Sequence, residues 1–188
     1  MPDPGWWKAL WPEPAKVLSA VGVRAGMDVV DLCSGDGWFT LQIAKFACHV
    51  VAIEIDAALL ETTRFRLAES ALTNCTFIQA DSYDLAKVVG APVGHVFLAN
   101  VFHGVPDKPR LSKAVQAVSR PGALFAVVNW HARPREETTI LGEPGGPPTE
   151  LRIPPQTTIA AIEPYGLTLR DVVDVGPYHY AVVFECRP

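Results

Sequence analysis

The 188-residue sequence lacks the long apolar run that a membrane-spanning helix requires. No uninterrupted hydrophobic stretch approaches the roughly 18 residues that cross a bilayer. The N-terminal segment, MPDPGWWKALWPEP, also lacks the basic start and apolar centre of a signal peptide. We therefore expect a cytoplasmic protein without a membrane span.

Cysteine is scarce, since the chain has four, and none of them forms a C-x-x-C pair. Each lies in or beside an apolar stretch, where a free thiol behaves as a small buried hydrophobe. This spacing predicts neither a metal site nor a disulfide, and it favours the reducing cytosol.

The chain has no excess of basic charge, because 16 basic and 20 acidic residues give a net charge of −4. A nucleic-acid-binding domain normally gathers Arg and Lys on one face or helix. Here the basic residues are scattered, so we expect no nucleic-acid partner. The sequence also lacks a lysine-tipped phosphate loop, an H-E-x-x-H helix and a G-x-S-x-G elbow, which argues against the enzyme classes that use them.

Apolar segments of strand length alternate with segments of helical spacing, and the length suits one domain over residues 1–188. Strands are predicted at 27–32, 49–55, 76–80, 93–99 and 123–129, and helices at 38–47, 57–71, 107–119 and 155–165. The last two strands, 167–175 and 178–186, are joined by Gly176-Pro177 and are expected to form an antiparallel pair. The pattern predicts a mostly parallel α/β sheet covered on both faces.

Two segments lie outside this alternation. In residues 1–22, the apolar spacing predicts a helix over 6–21 that is interrupted near Pro12 and Pro14. The tryptophans of this helix either pack against the sheet or cover a ligand pocket as a lid. Residues 130–155 predict a long loop on the substrate side, since loops of this length are usually functional or disordered.

The predicted ends of the first three strands carry the residue types of a nucleoside site. These residues are Asp31, Gly35 and Gly37, then Glu54, then Asp81 and Ser82. Consecutive strand ends of a parallel sheet line one crevice. The Glu54 carboxylate can accept two ribose hydroxyl hydrogen bonds, and Asp81 can accept one from an adenine amine. The glycines let the backbone approach the ligand closely.

On these residues the chain resembles the class I S-adenosylmethionine-dependent methyltransferases, in particular the small-molecule type of ubiquinone and menaquinone biosynthesis. VVDLCSGDG is similar to the family's cofactor loop, D-x-G-x-G-x-G, while VVAIEID and TFIQADSYDL resemble its ribose and adenine segments. HVFLANVFHGVPD and SRPGALFAVVNW resemble its fourth and fifth segments. The resemblance implies a Rossmann-like fold with seven strands, the last of them antiparallel. It also implies S-adenosylmethionine as cofactor, S-adenosylhomocysteine as product, and a small-molecule methyl acceptor.

Cys33 stands where the family has its first glycine, so this position is not expected to adopt a glycine-only conformation freely. We still expect Cys33 to line the cofactor site, together with Asn100 at the end of the fourth strand.

A general base is needed only if the acceptor loses a proton. The candidates are His103, after the fourth strand, and His131, after the fifth. Alternatively, His103 is a solvated residue of a structural turn and His131 is a partly buried packing residue.

Two other functions stay open at this point. A nicotinamide-dependent oxidoreductase would have a third glycine in its fingerprint, and Gly37 is followed instead by Trp38-Phe39-Thr40. A non-catalytic module that binds the nucleoside would keep the same strand-end residues. The asparagine-proline-proline-aromatic segment of many base-amine methyltransferases is absent, which further disfavours a nucleic-acid substrate.

Overall fold

Seven strands form one central sheet in the computed structural model, which describes residues 3–187. The strands are β1 Asp28–Leu32, β2 His49–Glu54, β3 Cys75–Gln79, β4 Val93–Ala99, β5 Ser119–Trp130, β6 Thr139–Ile140, β7 Glu143–Pro144, β8 Leu167–Val175 and β9 His179–Cys186. The central sheet has the order β3-β2-β1-β4-β5-β9-β8, and β6 and β7 form a separate hairpin. Strands β1 to β5 are parallel, and β9 is antiparallel to both of its neighbours.

Helices cover both faces of the sheet. They are α1 Pro4–Leu10, α2 Pro14–Ala20, α3 Trp38–Ala44, α4 Ala57–Glu69, α5 Leu85–Val88, α6 Lys108–Val118 and α7 Pro155–Ile162. One apolar core joins the sheet to α1, α2, α3 and α4, and a second joins its other face to α5, α6 and α7. None of the helices between residues 3 and 187 is long and apolar enough to cross a membrane. The predicted fold class is confirmed.

The strand order reverses between β1 and β4. From β1 the chain proceeds outward through β2 and β3, and it then returns to place β4 on the other side of β1. Asp31 of β1 is the register partner of both Ala52 on β2 and Phe97 on β4. Ligands of open α/β sheets bind at such a switch point, outside the carboxyl ends of the strands. The topology therefore places a crevice beyond Leu32 and Ala99.

The N-terminal helix predicted over 6–21 is in fact two short helices. Asp3 begins α1, since its carboxylate accepts hydrogen bonds from the N–H groups of Gly5 and Trp6 at 2.7 and 3.1 Å. Pro14 occupies the first turn of α2, where its missing N–H and fixed φ are favourable. The prediction of an interruption at the prolines is correct, and the break separates two helices.

The fifth strand is longer than predicted. Pro121-Gly122 precedes the predicted start at residue 123, whereas β5 begins at Ser119, which pairs with Val93. The register between β4 and β5 shifts between Val93 and His95, and Gly122 has φ +77°. A bulge tolerates a proline without an N–H and a glycine with positive φ, so the strand continues through both.

The long loop at 130–155 is ordered around one arginine. Arg152 is buried, and its guanidinium donates hydrogen bonds to the Thr138 hydroxyl at 3.0 Å and to the Gly145 carbonyl at 2.8 Å. It also lies over the Trp130 ring, 5.0 Å from the ring centroid. The predicted loop therefore contains the β6–β7 hairpin, and the guanidinium of Arg152, from the same loop, stabilises it.

Candidate active site

Two adjoining cavities lie at the carboxyl edge of the sheet. The larger, of about 390 Å³, is bounded by the glycine turn after β1, the ends of β2 and β4, and Trp7 of α1. The smaller, of about 300 Å³, lies beyond β3. Cys33, Ile55 and Val101 line both. The two spaces together form one elongated crevice.

The structure brings most of the predicted cofactor residues to this crevice. The larger cavity is lined by Asp31, Cys33, Gly35, Glu54 and Asn100, and the smaller by Cys33, Asp81 and Ser82. Gly37 has a different position, since it begins α3 with φ +81°. A Cβ there would lie 2.6 Å from a methyl carbon of Thr63 on α4, so only glycine fits this turn.

Glu54 joins the end of β2 to the glycine turn. Its Oε2 accepts a hydrogen bond from the Gly35 N–H at 2.9 Å, and its Oε1 accepts from the N–H groups of Ile55 and Asp56 at 2.9 and 3.1 Å. A carboxylate offers about four acceptor positions, so the three bonds leave capacity for a ligand donor. These bonds fix the Glu54 side chain at the wall of the larger cavity.

Burial raises the pKa of Asp31 to about 7. A hydrogen bond from the Thr40 hydroxyl, at 2.5 Å, acts against this rise, and the nearby Glu54 carboxylate adds to it. Asp31 is 3 % exposed. A carboxyl group in this environment changes its protonation state near neutral pH, and a cation beside it favours the ionised form.

Cys33 adopts the left-handed conformation, with φ +57°. A non-glycine residue pays roughly 1–2 kcal/mol for this conformation, so the turn forms without the family's first glycine at that cost. Burial, together with the carboxylates of Glu54 and Asp31, raises the pKa of the Cys33 thiol to about 12. The thiol is therefore protonated at neutral pH and is not a nucleophile.

Asp36 is a site residue that the sequence did not reveal. It is buried, lines the larger cavity, and accepts hydrogen bonds on Oδ2 from Trp7 Nε1 at 3.1 Å and from the Arg66 guanidinium at 3.0 Å. The Trp7 ring is stacked on Trp38, with ring centroids 6.5 Å apart. Trp7 thus covers the cavity, whereas Trp11 is packed into the core against Phe39.

Four buried polar atoms around the larger cavity have no hydrogen-bond partner within residues 3–187. They are Ser34 Oγ, Asp36 Oδ1, Trp38 Nε1 and Asn100 Oδ1. Asn100 also has a positive φ of 63°, which is uncommon for a non-glycine residue. Buried polar atoms are nearly always paired, so these four residues of the cavity wall have hydrogen-bonding capacity that the fold itself does not use.

Asp81 closes the smaller cavity at the end of β3. Its Oδ1 accepts a hydrogen bond from the Tyr83 N–H at 2.9 Å, and the Ser82 hydroxyl lies 3.5 Å from the same oxygen. These contacts form the turn after β3 and do not involve Oδ2. The carboxylate thus remains an acceptor at the wall of the cavity.

The two predicted bases have different surroundings. The Nδ1 atom of half-buried His103 lies 3.4 Å from Asn129 Oδ1. Burial lowers the pKa of His103, and Lys108 and Arg152 lower it further, against the contact with Asn129.

His131 Nε2 lies 3.0 Å from Asp174 Oδ1 on the edge strand β8. In the described part of the chain neither predicted base lines either cavity. His103 follows the cavity residue Val101 by two positions, whereas His131 is directed toward the far edge of the sheet.

A family model described as a methyltransferase domain matches residues 24–141. The ubiquinone/menaquinone biosynthesis C-methyltransferase of Cellvibrio japonicus is 28 % identical over 124 residues, which are 64 % of this chain and 49 % of that protein. An uncharacterized protein of Mycobacterium tuberculosis is 25 % identical over 120 residues, which are 61 % of this chain and 41 % of that protein. The chain thus spans less than half the length of these relatives.

Solved structures share the whole fold. The crystal structure of a SAM-dependent methyltransferase from Aquifex aeolicus aligns with a TM-score of 0.81 and 23 % identity, covering 97 % of this chain and 93 % of that chain. Identity at this level supports the fold alone. The family match and the shared fold agree with the strand-end motifs of the sequence.

Proposed function

Because the chain belongs to the methyltransferase-domain family and takes S-adenosylmethionine as its cofactor, we propose that it transfers a methyl group to a small-molecule acceptor. The observation that carries the proposal is the group of four unpaired buried polar atoms around the larger cavity. The methionine part of the cofactor has an ammonium group, which needs acceptors, and a carboxylate, which needs donors. Asn100 Oδ1 and Asp36 Oδ1 are acceptors, and Trp38 Nε1 and Ser34 Oγ are donors, so the residues present fit both groups.

The other half of the cofactor fits the rest of the crevice. Glu54 would accept hydrogen bonds from the ribose hydroxyls, and Asp81, with Ser82, would accept one from the adenine amine. These roles come from the family resemblance, and the positions of Glu54 and Asp81 at neighbouring cavity walls support them.

The charges of the larger cavity favour a cation. Asp31, Asp36 and Glu54 line it, and no Lys, Arg or His is among its lining residues in the part of the chain that the structure describes. When bound, S-adenosylmethionine supplies a methyl group activated by the positive charge of its sulfonium. The ionised form of Asp31 would stabilise that charge, and Trp7 and Trp38 would limit the access of water.

Two observations support a small acceptor over a nucleic acid. The chain has a net charge of −4, and the cavity is covered by α1 through Trp7. A 23S rRNA (uracil(1939)-C(5))-methyltransferase of Vesicomyosocius okutanii is 40 % identical, but over 53 residues that are 28 % of this chain and 12 % of that protein. The quinone-biosynthesis relative matches more than twice that share of the chain.

If the acceptor must lose a proton, His103 is the preferred base, because its lowered pKa keeps it neutral at pH 7. His131 is the second candidate, although its Nε2 is engaged with Asp174. The direct test is turnover of methyl-labelled S-adenosylmethionine with pools of small molecules and, in parallel, with total RNA. Label in the small-molecule fraction supports the proposal. Label in RNA alone contradicts the acceptor class, and binding of the cofactor without turnover in any pool supports a non-catalytic module.

A further inference from the structure

Asn129 is a buried amide at the carboxyl end of β5. It is 1 % exposed and follows six buried apolar residues, ALFAVV. Burying an amide without full hydrogen bonding is costly, so a polar residue in such a strand needs a partner or a function. The end of β5 lies beside the end of β4, since Val128 pairs with Ala99 and its carbonyl accepts a hydrogen bond from the Asn100 N–H at 2.9 Å.

The partner of Asn129 is His103. The two side chains meet through Asn129 Oδ1 and His103 Nδ1 at 3.4 Å, across 26 residues of sequence. An amide oxygen can only accept a hydrogen bond, so this contact requires the proton on Nδ1. Neutral imidazole carries one N–H, and Nε2 is then the atom with the free lone pair.

The neighbouring strand favours this orientation of the amide. Tyr180 of β9 is the register partner of Asn129, and its hydroxyl donates to the Ile153 carbonyl at 2.8 Å. Because that hydrogen is engaged, the phenolic oxygen presents lone pairs, which suit the amide NH₂ better than its oxygen. Burial raises the pKa of Tyr180, and Thr158 and Asn129 act against the rise, as donors to the phenolic oxygen would. Asn129 Nδ2 itself has no partner of normal geometry in residues 3–187.

The charged groups around His103 keep the ring neutral. Lys108 at the start of α6 and Arg152 of the 130–155 loop both disfavour a second positive charge beside the ring, and Tyr180 stays protonated at neutral pH. The ring is half-buried, so one side remains open to solvent or to a ligand.

We propose that Asn129 is a positioning residue that holds His103 in the Nδ1–H form, so that Nε2 is the atom that takes the proton of the methyl acceptor. The bond that breaks is the O–H or N–H of the acceptor, and the bond that forms is Nε2–H. The electron pair stays on the acceptor heteroatom, which would use it for the new bond to the methyl carbon, while the bond between that carbon and the sulfonium sulfur would break and leave its electron pair on the sulfur of S-adenosylhomocysteine. The resulting imidazolium returns its proton to solvent. The inference rests on the proposed function for the existence of an acceptor.

The test is the tautomer of His103 in the free protein, read from long-range ¹H–¹⁵N spectra of the imidazole nitrogens. The chain has five histidines, and the spectrum of His103→Gln identifies the signals of His103. We expect the Nδ1–H form in the wild-type protein and a shift toward the commoner Nε2–H form in Asn129→Ala. Asn129→Asp should raise the pKa of His103 by about one unit or more, since a carboxylate favours the imidazolium. His131, which contacts Asp174 through Nε2, is the internal control and should not change in either variant.

An Nε2–H form of His103 in the wild-type protein, or a His103 signal unchanged by Asn129→Ala, would overturn the proposal. If Asn129→Ala fails to fold, the wild-type tautomer and the pKa in Asn129→Asp decide the question. These spectra require neither cofactor nor acceptor. Failure of the proposed function would appear instead as absent cofactor binding, so the two failures are distinguishable.

Discussion

Trp7 donates its indole N–H to the Asp36 carboxylate across 3.1 Å, and this hydrogen bond joins the N-terminal helix α1 to the glycine turn at the larger cavity. Both side chains are more than nine-tenths buried. Asp36 also pairs with Arg66 of α4 at 3.0 Å, so three separate elements meet at one carboxylate. Trp7, which covers the larger cavity, is therefore bonded directly to the glycine turn that forms part of the cavity wall.

Replacing Trp7 with Phe should destabilise the fold through this connection. A hydrogen bond to a charged group contributes roughly 1.5–3 kcal/mol, and Trp7→Phe should lower the free energy of unfolding by about 2 kcal/mol in urea titrations. The matched control is Trp6→Phe, because Trp6 is only partly buried and contacts the Trp7 ring through its edge. Equal decreases in the free energy of unfolding of the two variants would show that the Trp7–Asp36 hydrogen bond does not stabilise the fold.

Asp31 should make stability fall as the pH rises from about 4 to 7. Its pKa is raised from 3.8 to about 7, so the folded protein holds a proton that the unfolded chain releases in this window. The stabilisation is complete below about pH 4 and lost once the pH exceeds the folded pKa. The pKa values of buried His95 and His179 are lowered, so these residues make stability rise with pH over the same range. The contribution of Asp31 is therefore measured as the difference in stability between the wild type and Asp31→Asn.

Between pH 4.5 and 8, the stability of Asp31→Asn relative to wild type should rise by on the order of 3 kcal/mol. Urea titrations at several pH values measure this difference directly. A relative stability that does not vary with pH would mean that Asp31 is ionised throughout the window.

Cys33 should be unreactive in the native protein, although it lines both cavities of the crevice. Its thiol pKa is raised to about 12, and alkylating reagents react with the thiolate and not with the protonated thiol. At pH 8 an alkylating reagent should modify exposed Cys48 first and leave Cys33 unmodified, as mass spectrometry of the digested protein would show. Labelling of Cys33 as fast as that of Cys48 would contradict the assigned environment.

The sequence predicted the features that depend on order along the chain. Asp31, Glu54 and Asp81 lie at or just beyond the carboxyl ends of β1, β2 and β3. The ends of parallel strands share one edge, so their proximity follows from the alternation of elements. The methyltransferase family, predicted from these motifs, is confirmed by the family match over residues 24–141. The bounds of β4 and β8 agree with prediction because turn residues flank both strands, Pro92 and Asn100 around β4 and Gly166 and Gly176 around β8.

The contacts between distant residues could not be predicted. Asp36 has its partners 29 and 30 residues away, and Asn129 meets His103 across 26 residues. Sequence periodicity describes which face of an element is apolar, but it does not give the rotamers and register that bring two polar groups together. His131 was placed at the crevice by its position after β5, whereas its contact with Asp174 depends on β9 lying between β5 and β8.

Calorimetric titration of S-adenosylmethionine into wild-type protein and Glu54→Gln tests the central claim most directly. We expect binding in the micromolar range for the wild type and a loss of affinity of roughly 10-fold or more in Glu54→Gln, because charge-assisted bonds contribute roughly 1.5–3 kcal/mol each. Glu185→Gln, at a half-exposed position on β9, is the matched control and should bind as the wild type does. No binding at high micromolar concentrations, or equal affinity in wild type and Glu54→Gln, would contradict the account.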